Sequence, residues 1–131
     1  MSSEPLKGKT ALVSGGANGI GRAIVETFLD RGAAVLALDR DGNALAALQH
    51  AQADRALTTI LADLTNETEV RRTFANLSAT EIDILVNNAG IDVNFSFERP
   101  DYATWQQVVA TNLTGAMYLT THVIQRLVAA H

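Results

Sequence analysis

The sequence predicts an α/β fold in which a parallel sheet is covered by helices on both faces. Four short apolar segments alternate with segments of helical periodicity, and this alternation is typical of βαβ units. The strand segments are almost continuously apolar, as expected for a sheet that is buried on both sides. With 131 residues, the chain is long enough for one domain with a buried core but not for two. We therefore expect a single domain over residues 1–131.

The strand and helix segments follow one another in a regular order. Apolar runs predict strands at 10–13, 35–38, 58–62 and 82–86. The first helix is predicted from Gly19, with Ile20 on its apolar face, and it ends before Gly32, since glycine accepts the left-handed conformation common after a helix. A second helix follows the second strand. A third begins at Asn66, whose spacing from Glu69 is typical of a helix cap.

The last segment differs from the rest because its helical pattern is much longer. Pro100 and Asp101 are predicted to open this helix, and apolar residues recur at helical spacing from Trp105 to Leu127. The pattern continues to His131. We expect the chain to end inside this element or at its very tip.

Composition excludes several classes of function. The net charge is −4 and no basic run is longer than Arg71-Arg72, so binding to nucleic acid is not expected. The absence of cysteine excludes disulfides and thiolate chemistry. The longest apolar run, 33–38, is far too short to span a bilayer, and the histidines have no partners at metal-ligand spacing. We expect a cytoplasmic protein that binds no metal and no membrane.

A glycine-rich loop, VSGGANGIGRA at residues 13–23, separates the first strand from the first helix. Gly15 permits a sharp exit from the strand, Gly19 lets a pyrophosphate approach the backbone, and Gly21 permits close packing of the helix on the sheet. The helix that begins here directs free N–H groups and a partial positive charge at a phosphate. The loop is not a phosphate-binding loop of the Gly-Lys-Ser/Thr type. A glycine-rich turn without a ligand is the alternative.

Asp39 ends the second strand, eighteen residues after Gly21. A carboxylate at this position can accept hydrogen bonds from both ribose hydroxyls of an adenosine and would repel a 2′-phosphate, which favours NAD over NADP. Arg40 weakens this preference because a neighbouring arginine can hold that phosphate. Alternatively, Asp39 caps the loop that precedes Gly42.

Five motifs in order, SGGANGIG, ALD, ADL, NNAG and TNLTG, resemble the short-chain dehydrogenase/reductase family over residues 6–131. The resemblance implies a Rossmann-type doubly wound sheet in strand order 3-2-1-4, truncated after the fourth strand. It also implies that the catalytic and substrate-binding half of such enzymes is not part of this chain. The expected coenzyme is NAD, with NADP less favoured, and the expected chemistry is hydride transfer between a nicotinamide and a carbonyl or alcohol carbon.

The resemblance also assigns roles to individual residues. It implies that Asp63 caps the adenine amino group, that NNAG supports the sheet and approaches the ribose and nicotinamide, and that Asn112 is catalytic, kinking its helix and holding a water in a proton relay. An exposed polar side chain is the alternative for Asn112. The implied coenzyme contacts are Ser14, Gly15, Asn18, Gly19, Ile20, Gly21, Asp39, Arg40, Asp63, Leu64, Asn87, Ala89 and Gly90.

The family's catalytic Tyr-x-x-x-Lys cannot occur in this chain, because its lysines are Lys7 and Lys9 alone. Tyr118 and His122 lie one helical turn apart and are interpreted as packing or interface residues. A catalytically inactive NAD-binding or interaction module is therefore the alternative to an oxidoreductase. A binder of S-adenosylmethionine is a weaker third hypothesis.

The predicted fourth strand has an unpaired edge, and the long helix adds apolar surface. An open strand edge invites pairing with another chain. We therefore expect self-association, or association with a complementing chain, through this edge and the C-terminal helix. The sequence does not indicate a substrate.

Overall fold

The computed structural model describes residues 3–91, 93, 97–99 and 101–131. Its sheet has four parallel strands, in the spatial order β3-β2-β1-β4. The strands are β1 Thr10–Ser14, β2 Ala34–Asp39, β3 Leu57–Leu61 and β4 Ile84–Val86. The predicted strand order 3-2-1-4 is confirmed.

The register brings the carboxyl ends of the strands to one edge of the sheet. Val13 in β1 lies between Ala37 of β2 and Val86 of β4, and Asp39 lies beside Leu61 of β3. In an open parallel sheet this edge is where ligands bind, at the point where the strand order reverses. Here the reversal falls between β1 and β4.

Three helices connect successive strands, and two more follow β4. They are α1 Gly19–Asp30, α2 Gly42–Ala51, α3 Glu67–Asn76, α4 Tyr102–Val109 and α5 Gly115–Ala130. The predicted helix ends are confirmed at Gly32, which has φ +90°, and at Asn66, whose side-chain oxygen accepts from the Glu69 N–H at 3.1 Å. Between α4 and α5 the helix continues through a π-helical turn, Ala110–Thr114.

Successive residues of β1 point to opposite faces of the sheet and enter separate cores. Leu12 packs in a core with Leu119 of α5, and this core also contains side chains of α3. Val13 packs in the other core with Val25 of α1, together with residues of α2. Two helices therefore cover each face, as the doubly wound prediction requires.

Two local expectations differ from the structure, and a third is not tested by it. The fourth strand is limited to Ile84–Val86, although the buried Ile82 still belongs to the core. Ile20 was expected on the apolar face of the first helix, but it is 75% exposed and the buried face is formed by Gly21, Val25 and Leu29. The start predicted at Pro100 lies outside the described residues. Within the described part of the chain, no helix combines the length and apolar character needed to cross a membrane.

Candidate functional site

A cavity of about 250 Å³ lies at the carboxyl edge of the sheet. Residues from the ends of all four strands and from the π-helical turn form its walls. They are Gly15, Asn18, Leu38, Asp39, Arg40, Ala62, Asp63, Leu64, Asn88, Ala89, Gly90, Ile91 and Thr111. The wall thus combines small residues and apolar side chains with two carboxylates, as expected for a site that takes a partly planar, partly polar ligand.

Backbone packs directly on backbone around the glycine loop. Gly15 has φ +63°, and a Cβ atom there would lie 2.9 Å from the Cα of Ala89. A Cβ atom on Gly21 would lie 1.9 Å from the Gly15 carbonyl oxygen and 2.5 Å from the Asn88 side-chain nitrogen. The close approach predicted for Gly21 is therefore to the loop and to Asn88 rather than to the strands.

The N-terminus of α1 lacks the side-chain cap that the starts of α2, α3 and α4 have. Asp41, Asn66 and Asp101 each accept a hydrogen bond from the first turn of their own helix, α2, α3 and α4. Asn18 occupies the same position for α1 but makes no such bond. A Cβ atom on the following Gly19, which has φ +53°, would meet nothing within 4 Å. The free N–H groups of this turn thus border open space.

Asn18 instead links the glycine loop to the start of α2. Its side-chain nitrogen donates to Oδ2 of Asp41 at 3.3 Å, while Oδ1 of Asp41 accepts from the Ala44 N–H at 3.0 Å. The bond from the Ala44 amide, followed by that from Asn18, holds the pKa of the Asp41 carboxyl below its usual range. Asp41 is therefore ionised at neutral pH.

Asp39 is fixed between the same two segments. Its Oδ2 accepts from the Ala17 N–H at 3.1 Å and its Oδ1 from the Asp41 N–H at 3.0 Å. Each carboxylate oxygen can accept a further hydrogen bond. Asp39 thus anchors the loop, as one interpretation of the sequence proposed, and keeps capacity for ribose hydroxyls. Arg40 is exposed and makes no ion pair with the described residues.

Asp63 and Leu64 follow β3 and line the next part of the cavity. Oδ1 of Asp63 accepts from both the N–H and the hydroxyl of Thr65, at 2.9 and 2.7 Å. Among the described residues, none donates to its Oδ2. Leu64 is buried in the core against α5. The carboxylate is thereby oriented by its own loop while one oxygen stays open.

Ser14 connects the end of β1 to the NNAG segment. Its buried hydroxyl donates to the Val86 carbonyl at 3.3 Å and accepts from the N–H groups of Asn88 and Ala89, each at 3.1 Å. The Asn88 side chain donates to the Gly15 carbonyl at 3.1 Å. These bonds hold the glycine loop against the segment after β4.

Asn87 and Asn112 tie the same segment to the long helix. Asn87 donates to the Thr120 hydroxyl of α5 at 2.9 Å. Oδ1 of Asn112 accepts from the Ile91 N–H at 2.7 Å, and its Nδ2 donates to the Ile91 carbonyl at 2.9 Å. Asn112 lies in the π-helical turn, so the structure shows the helix irregularity that the resemblance implied at this residue.

The structure brings most of the predicted site residues together. Those in the cavity wall are Gly15, Asn18, Asp39, Arg40, Asp63, Leu64, Ala89 and Gly90. Those outside the wall are Ser14, Gly19, Ile20, Gly21, Asn87 and Asn112, which border or support it. Sequence reasoning missed Leu38, Ala62, Asn88, Ile91 and Thr111. Each missed residue is adjacent in sequence to a predicted one, and that adjacency was the available signal.

Tyr118 and His122 lie against each other away from the cavity wall. The His122 ring stacks on Phe74 with centroids 4.7 Å apart and meets the edge of Tyr118 at the same distance. Burial, and then the charges of Arg71 and Arg126, lower the pKa of His122 below its usual value. The interpretation of this pair as packing residues is confirmed by these contacts.

The sheet order and the glycine loop define a Rossmann-type α/β protein. The chain belongs to the short chain dehydrogenase family, whose sequence profile matches residues 9–131. The family resemblance predicted from the five motifs is therefore confirmed.

Individual relatives agree with this assignment. The chain is 38% identical over 120 residues to 3beta-hydroxysteroid dehydrogenase 2 of Eggerthella lenta, which covers 88% of this chain and 46% of that protein. It is 31% identical over 128 residues to a 3-oxoacyl-(acyl-carrier-protein) reductase FabG of Aquifex aeolicus, and this match covers 94% of this chain and 52% of that protein. The active-site complex of Pseudomonas aeruginosa RhlG with NADP superimposes with a TM-score of 0.87 at 32% identity. This match covers 97% of this chain and 51% of that one. The chain thus spans about half the length of the relatives it matches.

Proposed function

We propose that this chain is the coenzyme-binding half of an NAD-dependent oxidoreductase that transfers hydride between a nicotinamide and a carbonyl or alcohol carbon. The observation that carries the proposal is the uncapped N-terminus of α1 beside a cavity built from four strand ends. An N-terminus with free N–H groups is suited to a pyrophosphate. Membership of the family supports a nicotinamide dinucleotide as the ligand.

The residues of the wall fit the parts of such a coenzyme. We assign the pyrophosphate to the backbone of Gly15 and Gly19, because a Cβ atom at Gly19 would project into open space. The adenosine ribose is assigned to Asp39, whose two oxygens each keep an acceptor site. The adenine is assigned to the slot beside Asp63 and Leu64.

The segment after β4 is assigned to the nicotinamide end. Ala89 and Gly90 have little or no side chain and line the cavity, so a ring can approach their backbone. The bound coenzyme would carry the hydride, whereas Asn112 would hold this segment in place through Ile91. A proton relay through Asn112 remains part of the proposal.

NAD is preferred to NADP in this proposal because Asp39 stands at the ribose end. A carboxylate there favours two free hydroxyls and disfavours a 2′-phosphate. The NADP complex of Pseudomonas aeruginosa RhlG supports the class of coenzyme and leaves this preference to be measured.

A catalytically inactive NAD-binding module is the second candidate function. It is favoured by one observation: none of the 131 residues forms a Tyr-x-x-x-Lys pair, which in the family supplies the acid and base. A tyrosine has a pKa near 10, so it needs a neighbouring ammonium to work at neutral pH. The two candidates agree on coenzyme binding and differ on turnover.

Calorimetric titration of the protein with NADH, NADPH and S-adenosylmethionine tests the shared claim. We expect saturable binding of NADH and none of S-adenosylmethionine, and Asp54→Asn, an exposed change after α2, serves as a control that leaves binding intact. Absence of heat with both nicotinamide coenzymes, for material that unfolds cooperatively, would overturn the proposal. Oxidation of NADH with a panel of ketones separates the candidates, and we expect no turnover from these residues alone.

We also propose that the outer face of α5 and the edge of β4 bind a second copy or a complementing chain. Met117, Ile124 and Val128 are exposed by 62%, 52% and 71% and share this face. The only formally charged residue in α5 is Arg126, which is bonded within the fold. Sedimentation should detect association that Met117→Lys weakens, whereas a monomer at all concentrations would contradict the proposal.

A further inference from the structure

The carboxylates of Asp39 and Asp41 lie in one closed circuit of hydrogen bonds at the ribose end of the cavity. Asp39 accepts from the Ala17 and Asp41 N–H groups, and Asp41 accepts from the Asn18 side chain. The circuit therefore joins the glycine loop to the turn between β2 and α2. Ala17 and Asp39 are 22 residues apart in sequence, and Asn18 and Asp41 are 23 residues apart.

The two carboxylates have different duties in this circuit. Asp39 holds the loop itself, so removing its charge would also release the Ala17 N–H and disturb the site for any dinucleotide. Asp41 is not in the cavity wall, but Asn18, which it holds at 3.3 Å, is. Its negative charge therefore lies one side chain behind the wall, and it adds to that of Asp39.

Arg40 lies between Asp39 and Asp41 in sequence, and its positive charge would attract a 2′-phosphate instead of repelling it. It is in the cavity wall, exposed, and without an ion pair among the described residues. A guanidinium in that position is a ready partner for a phosphate. Asp39 and Arg40 alone would leave the ribose end electrically balanced. The charge of Asp41 makes it net negative.

We propose that Asp41 is a second determinant of coenzyme choice, which disfavours a 2′-phosphate and orients Asn18 at the cavity wall. The inference rests on the proposed binding of a nicotinamide dinucleotide. It differs from that proposal because it assigns part of the preference for NAD to a residue outside the wall of this cavity.

Asp41→Asn is the variant that removes the charge and keeps a side-chain oxygen for the cap. Asparagine is as good an N-cap as aspartate, so α2 keeps its cap at Ala44. We expect the ratio of NADPH to NADH affinity to rise by about three- to ten-fold, from the loss of one unit charge near a phosphate in a mostly aqueous setting. The rise should shrink as salt is added, because screening weakens the repulsion in the wild type.

The matched control is Asp54→Asn, the same substitution at an exposed carboxylate in the turn after α2. It should leave the ratio unchanged. Asp41→Ser, which keeps a capping oxygen, gives a second test of the charge should the amide variant fold poorly. An unchanged ratio in a folded Asp41 variant would overturn this inference alone. Failure of the wild type to bind either coenzyme would overturn the proposed function as well.

Discussion

The glycine loop and the outer face of α5 are organised in opposite ways. The loop is held by contacts within the chain, such as the bond from Asn88 to the Gly15 carbonyl, across 73 residues of sequence. The outer face presents apolar side chains such as Met117 and Val128 to solvent. The first region is preorganised before any ligand arrives, and the second is suited to burial against another surface. For this reason we propose a coenzyme for the loop and a protein chain for the helix.

Gly21→Ala is expected to have the largest effect, because it breaks the preorganised region. The new Cβ atom would lie 1.9 Å from the Gly15 carbonyl oxygen, so α1 and the loop must separate. We expect the free energy of unfolding to fall by about 3 kcal/mol, as in severe overpacking. Gly42→Ala is the matched control, since its Cβ would have no neighbour closer than 3.8 Å. Equal denaturation midpoints for the two variants would contradict the packing described here.

Arg126→Ala is expected to have the second-largest effect on stability, because it removes the bonds that hold α5 to the C-terminal end of α3. The Arg126 guanidinium donates to the Phe74 carbonyl in the last turns of α3 and to the Leu77 and Thr80 carbonyls after it, and it lies over the Phe74 ring. Loss of these charged donors should cost about 2 kcal/mol in urea denaturation. Arg72→Ala removes an exposed arginine of α3 and should change the midpoint little. A similar loss in both variants would show that general charge, not this attachment, matters.

Much of this architecture could be predicted from the sequence because its signals are local. Apolar runs placed the strands. A glycine placed the end of α1 at Gly32, and a side-chain cap placed the start of α3 at Asn66. The start of β4 was harder to predict, because Asp83 bonds to Thr10 through both its N–H and its carboxylate before the regular ladder begins. Such pairing depends on a residue 73 positions away, which a periodic pattern does not record.

Site residues were predicted where a motif marks them. They were missed where only tertiary contacts bring them to the site. Asp39 ends a strand and Gly90 comes shortly after one, so their position at the sheet edge could be inferred. The link between Asn18 and Asp41 and the position of Thr111 in the wall arise from how separate elements pack. The two bonds between Asn112 and Ile91, which lie 21 residues apart, likewise arise from that packing.

Thr111→Val, a substitution in the π-helical turn, should have a smaller effect and should stabilise the protein. The hydroxyl of Thr111 is buried and has no hydrogen-bond partner among the residues that the structure describes, whereas Thr27, Thr73 and Thr120 each bond to the carbonyl four residues earlier. Replacing it with an isosteric apolar side chain should raise the free energy of unfolding by about 1 kcal/mol. Thr114→Val, an exposed change in the same turn, should be neutral. A lower melting temperature for Thr111→Val would show that the hydroxyl is satisfied.

His122 should produce the smallest effect, and only as the pH is lowered. Its pKa is lowered in the folded state by burial, Arg71 and Arg126, so the unfolded chain binds the proton first. This contribution to stability is complete above the unfolded pKa of about 6.5 and is lost as the pH falls through the lowered value. His122→Gln should therefore reduce the loss of stability between neutral and mildly acidic pH. The exposed His50→Gln should leave that loss unchanged, and equal slopes for both would contradict the assignment.

Amide hydrogen exchange with and without NADH shows whether the coenzyme binds at the carboxyl edge of the sheet. Bound coenzyme should slow exchange in the glycine loop, residues 15–21, and after β4, residues 87–91, because these amides line or border the cavity. The turns of α5 that carry Ile124 and Val128 of its outer face should exchange at the same rate in both samples. Exchange that is unchanged in the loop at saturating NADH, or slowed only in α5, would contradict a coenzyme site at the carboxyl edge of the sheet.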